Sequence, residues 1–148
     1  MDQPEKLFIK YQAFEGLCLT IQYQSPRLII EWDTVGCLGA PESRFVCEPD
    51  ALALQNFKRN LDVLKVWYWK HEYYSIGVLD GVQWHIEIDW GEQHLLTDCI
   101  NAYPPKGHGY PSEAFNQFLR AVGVLMDDQD FINTWYYNKP SGIYADYC

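Results

Sequence analysis

Three residues at alternate positions, His85, Glu87 and Asp89, are the chain's clearest candidates for chemistry. On an extended strand they share one face at intervals of roughly 6.5–7 Å. That spacing suits a metal site or paired carboxylates for acid/base work, and His94 is placed to join from a following strand. Two observations weigh against this reading. Alternating polar residues are what the solvated face of an antiparallel strand needs in any case, and no second ligand motif such as HxxxH or HxH accompanies the trio. Nucleophilic catalysis has less support, since GxSxG, P-loop and GxGxxG motifs are all missing. His108, between Gly107 and Gly109, belongs to a Pro-flanked loop whose glycines are explained by turning the chain. The expectation is therefore no catalytic residue, no metal ligand and no cofactor, with a small metal-dependent enzyme or metal-binding module centred on His85, Glu87 and Asp89 as the alternative.

The element that must position the trio is a strand entered through Asp80-Gly81, a dipeptide that favours type I′ hairpin turns because both central residues need positive φ. With those two as the loop, Leu79 pairs with Val82, Gly77 with Trp84, Ser75 with Ile86 and Tyr73 with Ile88. Val82, Trp84, Ile86, Ile88 and Trp90 then form a core face at period 2. The opposite face pairs Val78 with Gln83, Ile76 with His85, Tyr74 with Glu87 and Glu72 with Asp89, and is polar, acidic and partly aromatic.

Around this hairpin the alternation of residues 7–14 and 17–23 about Glu15-Gly16 predicts two further strands, and residues 27–32 a third after the Ser25-Pro26 turn. The Gly- and Pro-punctuated stretch from Thr34 to Cys47 reads as loop. Pro49 opens a helix to about Lys65, with Ala53, Phe57, Leu61 and Leu64 on one face. Another strand spans about Gln93 to Ile100. After the loop of residues 101–111, Ser112 caps a second helix whose Phe115, Phe118, Leu119, Val122, Leu125 and Met126 repeat at helical spacing. No linker interrupts the chain. The order predicts one α+β domain over residues 1–148, an antiparallel β-sheet with two main helices packed on one face, and an aromatic, acidic tail over 128–148 packing on it.

Composition narrows the function classes. A hydrophobic content of 48% with 16% aromatics excludes disorder, and 148 residues suit one domain. Twenty acids against eleven bases give a formal charge of −9, which argues against direct nucleic-acid binding, since phosphate neutralisation needs clustered Lys and Arg. The excess is uneven: residues 1–66 carry nine acids and seven bases, residues 67–148 eleven and four. No apolar run reaches the ~18 residues of a membrane span, and residues 1–6 lack the basic start of a secretory signal. Five cysteines, an odd number without a CxxC pair, argue against a disulfide framework. Cys18 and Cys99 read as buried thiols, and the protein as cytoplasmic.

Trp67, Trp69, Tyr73, Tyr74, Trp90, Trp135, Tyr136 and Tyr137 are more aromatics than one small domain buries easily. Two readings stay open: an interface, where Tyr and Trp are favoured, or a Trp-rich core with acids that only solubilise. The interface reading nominates Glu72, Glu87, Asp89, Glu92, Asp127, Asp128 and Asp130 as contacts to a basic partner, with Tyr74 and Trp135 as anchors.

The pattern Asp80-Gly81-x-x-Trp84-x-Ile86-x-Ile88, then Asn101-Ala102-Tyr103-Pro104, then Phe115-x-x-Phe118-Leu119, resembles a module of small bacterial proteins. By size, acidity, Trp/Tyr content and the lack of a catalytic motif, the chain is similar to immunity proteins of polymorphic and contact-dependent growth inhibition toxin systems. The motif match covers roughly residues 67–126. The resemblance implies a cytoplasmic protein that binds the C-terminal toxin domain of a cognate effector and blocks its active site. Many such toxins are nucleases with basic clefts. A small-ligand or carbohydrate module, in which exposed aromatics stack on sugar rings, is the third reading; it requires a concave aromatic strip on one sheet face. The oligomeric state is not legible in the sequence.

Overall fold

The computed structural model describes residues 2–13, 18–33, 43–75 and 81–126. Seven strands form one sheet: β1 Lys6–Ala13, β2 Cys18–Gln24, β3 Arg27–Asp33, β4 Ser43–Cys47, β5 Glu72–Tyr74, β6 Val82–Trp90 and β7 Gln93–Ile100. Their spatial order is β4-β3-β2-β1-β6-β7-β5, antiparallel throughout except that β5 runs parallel to β7. Two helices, α1 Ala51–Leu64 and α2 Glu113–Leu125, complete an α+β domain.

Both helices bury their apolar stripes on the same sheet face. Leu54, Phe57 and Leu61 of α1 and Phe115, Phe118, Leu119 and Val122 of α2 join one core with Leu7, Ile9 and Tyr11 of β1 and Trp84, Ile86, Ile88 and Trp90 of β6. Aromatic rings fill its centre: Phe115 meets Trp84 at 5.3 Å and Tyr103 at 5.0 Å, and Trp69 meets Phe118 at 5.7 Å, all edge to face, the arrangement ring quadrupoles favour. Ser112 caps α2 as expected, accepting from the Phe115 N–H at 3.0 Å. At α1, Asp50 is the cap, accepting from the Ala53 N–H at 2.8 Å. Pro49 therefore precedes the helix instead of opening it.

Among the described residues, the pairing expected of a hairpin at Asp80-Gly81 is not found. β6 lies between β1 and β7, with Trp84 opposite Tyr11 on one side and Cys99 on the other. Tyr73 pairs with Cys99 and Tyr74 with Ile100, not with Ile88 and Glu87; Asp80 and Gly77 lie outside the described residues. The tight turn of this region is Gly91-Glu92, which joins β6 to β7 with Trp90 opposite Gln93. Gly91 takes φ 62 there, a conformation glycine adopts without a Cβ penalty. Gly81 serves another purpose. A Cβ on it would overlap the Asn101 side chain, whose Oδ1 accepts from the Val82 N–H at 3.0 Å and thereby secures the start of β6.

The inward alternation of β6 holds all the same, because side-chain parity does not depend on which strand is the neighbour. The stretch from Thr34 to Cys47 is not all loop, since its last five residues form edge strand β4 against β3. Cys18 is disulfide-bonded, not the buried thiol expected, and so gives no support to a reducing compartment. Cys99 is a buried free thiol whose pKa burial pushes up to about 12, which makes it inert. No helix among the described residues is long and apolar enough to cross a membrane.

Candidate binding face

The face turned away from the helices is read directly from strand register. One row crosses all seven strands: Arg44, Glu31, Thr20, Lys10, His85, Asp98 and Glu72, each opposite the next. The neighbouring row runs Val46, Ile29, Gln22, Phe8, Glu87 and Leu96. Towards β2 and β3 this face is partly covered, with Cys18, Ile29 and Asp33 buried and Thr20, Gln22 and Glu31 half-buried. Towards β6, β7 and β5 it is open, with Glu72, Tyr74, His94, Leu96 and Asp98 all exposed.

The expected trio is on this face but does not act as one group. His85 turns to β7, with Nδ1 2.7 Å from Asp98 Oδ1, while its Nε2 lies 3.5 Å from Glu87 Oε2. Glu87 pairs with Lys6 of β1 at 2.7 Å. The Lys6 ammonium holds the Glu87 carboxyl below its ordinary value; burial opposes this and His85 adds to it. Asp89 is bonded to His94 at 2.9 Å. Each carboxylate thus has its own base, and among the described residues no three His, Cys, Asp or Glu side chains converge on a metal position. An Asp-oriented histidine is the arrangement of a general base. Here its second nitrogen lies near another carboxylate, so the ring sits between Asp98 of β7 and Glu87 of its own strand.

Glu72 differs from the other acids. It lies directly opposite Asp98 on the parallel pair β5–β7, a like-charge juxtaposition that disfavours the folded state. Among the described residues it makes no ion pair. From β1 to β5 the open face carries Glu72, Glu87, Asp89 and Asp98 against Lys6 and Lys10, two negative charges in excess when the imidazoles are neutral. Two grooves flank His85 across the sheet. One, of about 440 Å³, is lined by Lys6, Phe8, Gln22 and Glu87; the other, of about 530 Å³, by Lys10, Gln12, Glu72, Gln83 and Asp98.

Of the nominated contact residues, Glu72, Tyr74, Glu87 and Asp89 share this face, and Glu92 is exposed at the β6–β7 turn. Asp127, Asp128, Asp130 and Trp135 lie outside the described residues, as does the tail over 128–148. Of the eight aromatics, Tyr74 is exposed, and Trp135, Tyr136 and Tyr137 lie outside the described residues; Tyr68, Tyr110 and Phe45 are exposed besides. Trp69, Tyr73 and Trp90 are buried, and Trp67 is half-buried with its Nε1–H donating to Asp62 at 2.8 Å. Among the described residues Phe8 and Tyr74 are the only aromatics on the helix-free face, three strands apart, so the strip required for sugar stacking is missing. Sequence reasoning missed Asp98, Lys6 and Lys10. Asp98 was within reach, because a turn at Gly91-Glu92 places it opposite His85; β1 is separated from β6 by about seventy residues of chain, and its pairing leaves no local signal. The chain matches no protein-family model and no curated protein.

Proposed function

We propose that this protein is an inhibitor that binds a basic partner domain stoichiometrically, as an immunity protein neutralises its cognate toxin, and that the helix-free face from β1 to β5 is its docking surface. The observation that carries the proposal is the charge imbalance of that face: four carboxylates on three adjacent strands against two lysines, beside an exposed Tyr74. Acidic surplus on a rigid sheet accelerates encounter with a basic surface and penalises acidic competitors. An exposed tyrosine adds contact area at low entropic cost. A nuclease suits the partner role, since its substrate path is cationic and an acidic face would occlude it.

The test is co-expression with toxin domains encoded immediately upstream of the gene. Rescue of growth together with a one-to-one complex on gel filtration supports the reading. Neither rescue nor complex with any of them overturns it.

A further inference from the structure

We infer that the groove between Lys10 and Glu72 is an anchor site for an arginine side chain of the docking partner; the inference rests on the binding reading above and specifies its chemistry. The groove is about 530 Å³ and its two ends differ in charge. Lys10 stands at one end on β1, opposite His85. Asp98 and Glu72 stand at the other, on neighbouring strands about 4.8 Å apart. Asp98 uses Oδ1 on the His85 ring, and its carboxylate, half exposed, also lines the groove. Gln12 and Gln83 supply amide acceptors along the wall.

A guanidinium suits this end better than an ammonium. Its planar fork spans two carboxylates on adjacent strands, whereas an ammonium is a compact point charge. It also stacks on aromatic rings, and Tyr74, 58% exposed, is two residues from Glu72 on the same face of β5. A cation placed there also relieves the repulsion between Glu72 and Asp98, a gain that exists only in the complex. Lys10, at the far end, opposes cation entry, so its removal strengthens binding.

The experiment uses the full chain labelled with ¹⁵N and titrated with capped arginine, capped lysine and capped citrulline. The expected result is saturable shifts confined to the amides around Gln83, His85, Asp98 and Ile100, strongest for arginine and missing for the uncharged citrulline. Glu72→Gln and Asp98→Asn should each weaken arginine about tenfold, the loss of one charged hydrogen bond, and Lys10→Ala should strengthen it. Shifts scattered over all acidic surfaces, or arginine and lysine binding alike, overturn the anchor. The co-expression result is independent of this readout: rescue without arginine binding discards the anchor alone, and arginine binding without rescue supports the anchor while discarding the inhibitor reading.

Discussion

The two faces of the sheet select residues by different criteria. On the helix-covered face identity is fixed by volume: Phe115, with no exposed surface, fits among the rings of Trp84, Tyr103 and Trp69. On the open face identity is fixed by charge: Lys6 against Glu87, His94 against Asp89, His85 against Asp98, and Glu72 left over. The residues that carry the resemblance to immunity proteins belong almost entirely to the first face. Trp84, Ile86, Ile88, Tyr103, Phe115, Phe118 and Leu119 are core, and Gly81 and Asn101 lock the entry to β6. That motif describes a scaffold. What a scaffold binds is decided by the side chains grafted on its free surface, and these contribute nothing to the motif.

The comparison breaks most visibly at Phe115. Phe115→Ala removes the ring at the centre of the covered face and should cost about 3–5 kcal/mol, the range for deleting a fully buried aromatic. Urea denaturation followed by tryptophan fluorescence measures it. A loss near zero would mean that the core closes around the gap and that volume is not what this face specifies.

At the border of the same face, Gly81→Ala forces the Asn101 amide away from the Val82 N–H. Overlap and a broken hydrogen bond together predict a loss of about 1–2 kcal/mol. The Gly81→Ala, Asn101→Ala double variant separates the two effects: it relieves the overlap without restoring the bond, so it should be less destabilised than the sum of the single changes.

These two positions also show how far the sequence could be read. α2 was legible to its cap, because Ser112 and the i, i+3, i+4 spacing from Phe115 are local signals. β6 was legible in parity but not in partner. Asp80-Gly81 pointed to a hairpin with the preceding segment, whereas the strand pairs with β1 and β7, and Gly81 is required for its lack of a Cβ beside Asn101. β4 was hidden by the Gly- and Pro-punctuated stretch before it, with only Arg44-Phe45-Val46 to mark a strand. For the candidate site, period 2 put Glu87 with Asp89 and Glu72 with Tyr74; that both pairs share one face was expected from the Asp80-Gly81 hairpin, and it holds because β5 and β6 each pair with β7 instead. The Lys6 partner of Glu87 was not found, because it reaches Glu87 through strand pairing across most of the chain.

A smaller effect is expected where charge replaces volume. Lys6→Ala removes the partner of Glu87 from a pair whose members are 49% and 26% exposed, so the loss should stay below about 1 kcal/mol. Its pH dependence is the sharper signature. Glu87 titrates below its ordinary value in the folded protein, so the pair stabilises the fold above the ordinary carboxylate pKa, and that contribution disappears as pH falls through the lowered one. Stability curves of the two proteins should therefore differ at neutral pH and converge in acid. Curves that stay parallel would show that Lys6 acts through packing of its alkyl stem.

The least effect on stability, and the largest separation between the faces, is expected at Glu72. Glu72→Lys places a cation opposite Asp98 in the parallel register, replacing like charges by opposite ones on an exposed edge strand. Stability should move by no more than about 0.5 kcal/mol, and upward, because cross-strand attraction replaces repulsion. Binding should move the other way, since the change removes one negative charge from the docking surface and puts a cation where the partner's cation belongs. Thermal unfolding and growth rescue by the same variant therefore test one statement: the wild-type Glu72–Asp98 repulsion is retained for a partner and not for the fold. A variant that gains stability and still rescues would move the docking surface off the β5 end of the sheet. A variant that loses stability would show that Glu72 belongs to the scaffold after all.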